Sequence, residues 1–183
     1  MIFFRDCKDF LILWAGQTLS QLGSSMTSFA LSVWAFQQRG TVASVALLLA
    51  CNYLPAAVAG LFSGALTDRF SKKAVMLCAD TGAALMTLAV LLLYLQNALR
   101  VEHLYWSNAV LGVCGAFQSP ASSVAVSLLV PREHYLRTSG LQSFASSLGG
   151  ILSPVLATAA LAFGGLGAVL AVDLASFAFA FVS

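Results

Sequence analysis

The sequence predicts an all-α membrane protein, a bundle of six transmembrane helices built from two three-helix repeats. Three observations carry that reading. Of the 183 residues, 60% are hydrophobic and only 9% charged, with a mean hydropathy of +0.90, far outside the roughly 25% charged composition of soluble domains. Apolar runs long enough to cross a bilayer occur six times, since about 20 helical residues span a hydrocarbon core of about 30 Å. Every Lys and Arg lies either at the N-terminus or in a short separator between runs.

The N-terminal segment 1–10 carries Arg5 and Lys8 ahead of the first apolar run. A secretory signal starts in the same way, but this run, about 10–37, is longer than a signal core and more runs follow, so it reads as a retained span. The other spans fall at about 42–66, 74–95, 104–130, 140–163 and 166–182. Their separators, 38–41, 67–73, 96–103, 131–138 and 163–167, are short and rich in charge, glycine or proline. If the N-terminus is cytoplasmic, Arg5, Lys8, Arg69, Lys72, Lys73, Arg132 and Arg137 lie inside, and Arg39 and Arg100 outside. That asymmetry satisfies the positive-inside rule and predicts a multi-pass protein of the cell membrane with a cytoplasmic N-terminus. Six spans return the chain to the cytoplasmic side, yet it stops at Ser183 without a basic anchor or polar tail. The expectation is one N-terminal six-helix domain over 1–183, truncated from a longer protein.

The net charge of +2 is too small a basic bias to argue for a nucleic-acid partner. Cys7, Cys51, Cys78 and Cys114 are widely spaced with no CxxC pair, and three of them read as small apolar helix residues. His103 and His134 stand in polar separators beside Glu102 and Glu133, as solvated loop residues do. Neither a metal nor a cofactor is expected on this ligand inventory. An embedded enzyme is disfavoured as well: no membrane histidine accompanies a serine, no HExxH occurs, and no aspartate cluster suits magnesium.

Polar residues inside the spans mark the candidate site. Gln17, Gln21, Ser24 and Ser28 follow one face of the first span. The fourth span repeats the spacing with Asn108, Gly112, Gly115 and Ser119, offset by 91 residues, and the third span of each half carries one carboxylate, Asp80 and Asp173, offset by 93. Two related three-helix units are a common way to build a site at their interface, although small and polar residues are frequent enough in membrane helices for such a match to arise by chance. The first-span stripe can line a substrate cavity, binding an amphipathic molecule without the desolvation cost of a charge. It can equally be polar glue between helices. No carboxylate lies on this span to balance a cationic substrate.

Carboxylates within a bilayer are costly unless paired, protonated or hydrated. Asp80 lies about 10 Å inside the third span, where an ion pair with Lys73 or Arg69 competes with a proton-coupling or substrate role. Asp173 has no cation nearby in sequence, which suits either a proton carrier or a protonated carboxyl bonded to a neighbouring helix. Asn52 ahead of Pro55, and Gln118 ahead of Pro120, pair a polar group with a helix-loosening residue. Gly60 and Gly64 form a GxxxG face that predicts close helix packing.

The separator after the second span reads Gly64-Ala65-Leu66-Thr67-Asp68-Arg69-Phe70-Ser71-Lys72-Lys73. It resembles the G-x-L-x-D-R-x-G-[RK]-[RK] signature between the second and third helices of the major facilitator superfamily. Gly64, Leu66, Asp68, Arg69, Lys72 and Lys73 match, and Ser71 replaces a glycine. Trp14-Ala15-Gly16-Gln17, Gln118-Ser119-Pro120-Ala121, Leu129-Val130-Pro131-Arg132-Glu133 and Asp173 look like the family's macrolide and siderophore exporter branch. Gly149-Gly150-Ile151-Leu152-Ser153-Pro154 is similar to the family's antiporter motif, with Ser153 where that motif has glycine. The family's fourth-helix arginine is missing, because no basic residue occurs between Tyr105 and Val130.

The resemblance implies a major facilitator half and a secondary transporter, a drug-resistance-type permease exporting an amphipathic small molecule such as a drug or siderophore. Its partners would be the lipid bilayer, the substrate, the proton gradient, and a missing C-terminal six-helix half or a second copy. The substrate cavity would take Gln17, Gln21, Ser24, Ser28, Asn52, Asn108 and Gln118, and proton coupling Asp173 or Asp80. Gly64, Asp68, Arg69, Lys72 and Lys73 would form a gating latch, or else only a basic topology loop. A small membrane scaffold or subunit that acts only in an assembly is the other reading of a chain this length.

Overall fold

The computed structural model describes residues 8–130 and 134–182, with the side chains of 8–13, 65–68, 72–73, 121–129 and 182 outside the description. Its five helices are α1 Lys8–Arg39, α2 Val42–Arg69, α3 Lys72–Leu95, α4 Val101–Leu129 and α5 Tyr135–Val182. At Gly165, φ is 64° and ψ −167°, which breaks α5 into two limbs, 135–164 and 166–182. A side chain at that φ would be strained, whereas glycine accepts it.

Local chemistry accounts for the helix ends. Gly40 takes φ 67° after α1, and its N–H donates to the Phe36 carbonyl at 2.7 Å, a left-handed cap that satisfies a terminal acceptor. Asn97 plays the corresponding part after α3 with φ 54°. Its own N–H reaches the Tyr94 carbonyl at 3.0 Å and that of Ala98 the Leu93 carbonyl at 2.9 Å, the paired bonds of a Schellman ending. Ser71 caps the start of α3, its hydroxyl accepting from the Ala74 N–H at 3.3 Å. The serine that departs from the resembled signature therefore has a local task.

Among the described residues, three helical segments, Val42–Gly64, Ala74–Leu95 and Tyr135–Phe181, are long and apolar enough to cross a membrane. The other two helices have the length, with 32 residues in α1 and 29 in α4, or about 48 and 44 Å. They carry polar side chains that the bundle covers, among them Ser20, Thr27, Ser107 and Asn108. The most apolar surfaces face outward instead: Leu61 on α2 is 80% exposed and Ile151 on α5 69%. In lipid such exposure carries no hydrophobic penalty.

The buried apolar core gathers at one end of the bundle. Ala30, Leu31 and Ala35 of α1, Leu48 of α2, Val90 of α3, Leu104 of α4, Ala157 before the α5 break and Leu166, Val169 and Leu170 after it pack together there. At the same end Arg39 pairs with Glu102, tying the finish of α1 to the start of α4. Both side chains are exposed, so the pair itself adds little stability.

Two crossings bring backbones close. A Cβ at Gly112 would strike the Asn52 carbonyl, and one at Gly23 would strike the Ser176 hydroxyl. The first locks α4 on α2, and the second locks α1 on the second limb of α5. The GxxxG expectation fails within this bundle, because a Cβ at Gly60 or Gly64 meets nothing within 4 Å. Small residues shorten a crossing only where another backbone lies opposite, and the packed side of α2 is that of Ser44, Leu48 and Ser63, all buried.

Gly112→Leu should therefore lower the stability of the protein in detergent by about 1–3 kcal/mol, as overpacked interiors do, whereas Gly60→Leu should leave it near wild type. Thermal unfolding followed by size exclusion measures both, and equal midpoints for the two variants would refute the assigned crossing.

Candidate functional site

A cavity of about 340 Å³ opens among the helices, beside the apolar core. Gln21, Ser24 and Ser28 reach it from α1, Asn52 from α2, Asp80 from α3, Gln118 from α4 and Asp173 from the second limb of α5. Gln17 does not line the cavity but bonds to two residues that do. Asn108 lies elsewhere. Its amide donates to the Leu104 carbonyl of its own helix at 2.9 Å, and its carbonyl accepts from the Asn52 amide at 3.2 Å. It serves the α2–α4 crossing that Gly112 permits, so its place in the expected cavity is corrected: close backbones leave no room for a substrate there.

Asp80 sits eight residues into α3, about 12 Å from the start of that helix. The Gln17 amide donates to Asp80 Oδ2 at 3.4 Å, and the Gln118 amide donates both to Asp80 Oδ1 and to Gln17 Oε1, the latter at 3.2 Å. This triangle joins α1, α3 and α4. Among the described residues the one ion pair is Arg39 with Glu102, which corrects the expected pairing of Asp80 with Arg69. Arg69 is exposed at the end of α2, where a guanidinium stays hydrated. The side chain of Lys73, the other expected partner, lies outside the described residues.

Asp173 is only 4% exposed and is held by hydroxyls. Ser24 of α1 donates to Oδ1 at 3.1 Å, and Thr87 of α3 donates to Oδ2 at 3.2 Å. Thr27 is buried beside the same carboxyl without a hydrogen bond of adequate geometry. The Ser176 hydroxyl bonds to the Asp173 backbone carbonyl at 2.8 Å. Gly23 lets α1 come this near, since a Cβ there would stand 3.0 Å from Asp173 Oδ1.

The two carboxylates thus differ in the chemistry of their surroundings. A side-chain amide donates through its N–H groups and accepts through its carbonyl oxygen, and at Asp80 it is the N–H groups of Gln17 and Gln118 that face the carboxyl. A hydroxyl donates or accepts by rotating. The Ser24 and Thr87 hydroxyls can thus meet the Asp173 carboxyl in either protonation state, while Asp80 accepts from the two amide donors that face it.

Thr87, Gly23 and Cys114 escaped the sequence reading. Thr87 stands seven residues after Asp80 on the same helical face, and that spacing was a usable signal. Gly23 matters only because Asp173 lies opposite, which no local pattern shows. Cys114, expected to be a plain apolar helix residue, lines the cavity. Gly115 of the α4 stripe lines it too, whereas Gly112 packs on Asn52. Of the expected latch, Gly64 and Arg69 are exposed, and the side chains of Asp68, Lys72 and Lys73 lie outside the described residues. No group of three or more potential metal ligands occurs among the described residues.

Comparison with known proteins places this geometry in context. The family described as Major Facilitator Superfamily matches residues 13–183. The chain is 28% identical over 166 residues to macrolide efflux protein A of Streptococcus pyogenes, an alignment covering 90% of this chain and 40% of that protein. It is 30% identical over 157 residues to an uncharacterized MFS-type transporter of Bacillus subtilis, covering 84% of this chain and 36% of the relative. A macrolide efflux protein A of Enterococcus faecalis is 31% identical over 134 residues, or 72% of this chain and 40% of that protein. The chain thus spans about two fifths of the length of these relatives. No solved structure matches it.

Removing one hydroxyl donor tests the geometry at Asp173. Thr87→Val should destabilise the protein in detergent by about 1–3 kcal/mol, the cost of stranding a buried polar group, and Thr87→Ser should recover most of the loss. If the valine variant unfolds at the wild-type temperature, Thr87 does not hold the carboxyl.

Proposed function

The chain belongs to the major facilitator superfamily, and on that premise we propose that it is the N-terminal six-helix half of a proton-coupled exporter of amphipathic small molecules, such as a drug or siderophore. It is a membrane transporter and not an enzyme, with the bilayer as its solvent and a small molecule as its cargo. The observation that carries the transport reading is the convergence of Asp80, Asp173 and the polar face of α1 on one cavity. Relatives named macrolide efflux proteins support the direction of transport.

In this reading the two limbs of α5 are the fifth and sixth helices of two three-helix repeats, and the N-terminus is cytoplasmic, as the basic separators favour. A second six-helix half, or a second copy, closes the cavity, and rocking of one bundle against the other alternates access to it. Asp173 carries the coupling proton, because its hydroxyl surroundings tolerate both protonation states. Proton arrival removes its charge, and the three helices it joins can then shift without separating a buried ion from its partners. Asp80, within its triangle of amides, offers the cargo a carboxyl oxygen in the cavity wall. Gln21, Ser24 and Ser28 supply adaptable hydrogen bonds. Between α2 and α3 the chain turns within Phe70 and Ser71, and Gly64, Asp68, Arg69, Lys72 and Lys73 around that turn act as the latch against the other half.

In cells expressing the gene, Asp173→Asn should bring proton-driven efflux of a macrolide to background while membrane expression persists, and Asp173→Glu should retain part of it. Unaltered efflux by the asparagine variant would reject the coupling role. Asp68→Asn should slow turnover several-fold with macrolide binding retained; an unchanged rate would leave the loop as a topology signal alone.

A further inference from the structure

Among the described residues four buried side-chain atoms find no hydrogen-bond partner: Trp14 Nε1, Thr27 Oγ1, Tyr105 Oη and Ser153 Oγ. Of these residues, only Thr27 borders the cavity that holds the two carboxylates. It is 3% exposed, and its oxygen is closed to solvent. A hydroxyl so placed is satisfied from within the protein or left unpaired at a cost. The proposed function gives it no part.

Position along α1 explains why it matters. Thr27 follows Gly23 by four residues and Ser24 by three, which sets the three on one side of the helix. With that side α1 meets the Asp173 carboxyl at Oδ1: Ser24 donates to Oδ1 at 3.1 Å, and a Cβ at Gly23 would stand 3.0 Å from the same atom. Thr87 serves the other oxygen, donating to Oδ2 at 3.2 Å. The carboxyl thus has a donor on each oxygen and, beside it, one hydroxyl oxygen that accepts from nothing. An ionised carboxylate needs donors, whereas the proton of a neutral one needs an acceptor.

We propose that Thr27 Oγ1 is the acceptor for the proton that Asp173 carries, which makes Thr27 the positioning residue of the protonated state. This rests on the coupling role given to Asp173 above. When Oδ1 takes up a proton, the new O–H donates to Thr27 Oγ1. The hydrogen of Thr27 turns to the Gly23 carbonyl four residues back, a bond open to threonine within a helix. Oδ2 remains the carbonyl oxygen and keeps the Thr87 donor. Ser24 is exposed and borders the cavity, so its hydroxyl can bond to solvent there once Oδ1 no longer accepts from it. No Lys, Arg or His borders this cavity; its other titratable groups are Asp80 of α3 and Cys114 of α4, and α1 and α2 bring none. The proton on Asp173 therefore has no cation to displace.

The test follows the Asp173 carboxyl by infrared difference spectroscopy of the whole protein, expressed from its gene and purified in detergent. The protonated-carboxyl C=O band that is missing from Asp173→Asn belongs to Asp173, and its intensity against pH gives a midpoint. Thr27→Val keeps the shape and removes the acceptor. Because it weakens the protonated form, it should move the midpoint to lower pH by about half to one unit, the range of one hydrogen bond. Thr27→Ser keeps the oxygen and should hold the wild-type midpoint. Thr27→Cys, with a weak sulfur acceptor, should fall between the two, and it serves if the valine variant does not fold. A midpoint moved to higher pH would make Thr27 a donor to the ionised carboxylate, and an unmoved midpoint, whatever the thermal stability, would make it a packing residue. Either result overturns the inference and leaves the coupling role in place. Folded wild-type protein in which Asp173 gives no titrating band would remove the coupling role and this inference together.

Discussion

In a bilayer no water is available to satisfy a polar group, so a buried donor or acceptor that finds no partner within the protein is costly. Asp173 shows how strongly that requirement shapes this bundle. Its carboxyl takes hydrogen bonds from α1 through Ser24 and from α3 through Thr87, and so draws three helices to one point. Asp80 does the same with Gln17 and Gln118, joining α1, α3 and α4. Each carboxylate would be expensive alone in hydrocarbon, and together with their donors they fix how α1 sits against its neighbours.

Close approach is the second requirement, because van der Waals contact takes over the part that hydrophobic collapse plays in water. It is met at particular glycines. Gly23 admits the Ser176 hydroxyl and the Asp173 carboxyl, and Gly112 admits the Asn52 backbone. Gly60, Gly64, Gly149 and Gly150 face open space, so glycine content alone does not identify a crossing. The dense apolar cluster at the Arg39–Glu102 end closes the bundle there, and the cavity lies beside it.

Helical structure, membrane solvent and family were legible in the residues, and so was the candidate site in outline. An amide and hydroxyl stripe on α1 had to face something polar, and the two carboxylates were too costly to be incidental. Their partners were harder to see. Arg69 was a reasonable mate for Asp80 by proximity along the chain, but Gln17 and Gln118 approach from helices 63 and 38 residues away in sequence. Asn108 matched the stripe by spacing and yet turns to a carbonyl of its own helix.

What the sequence by itself determined is the set of local choices: apolar runs that demand lipid, helix ends set by Gly40, Asn97 and Ser71, and the face of each helix that is polar. Periodicity defines such a face because side chains recur every 3.6 residues along a helix. Only the tertiary structure decided which neighbour that face meets. The rotation and depth of one helix against another come from contacts distant in the chain, such as Gly23 with Ser176 and Gly112 with Asn52, and no local pattern encodes them.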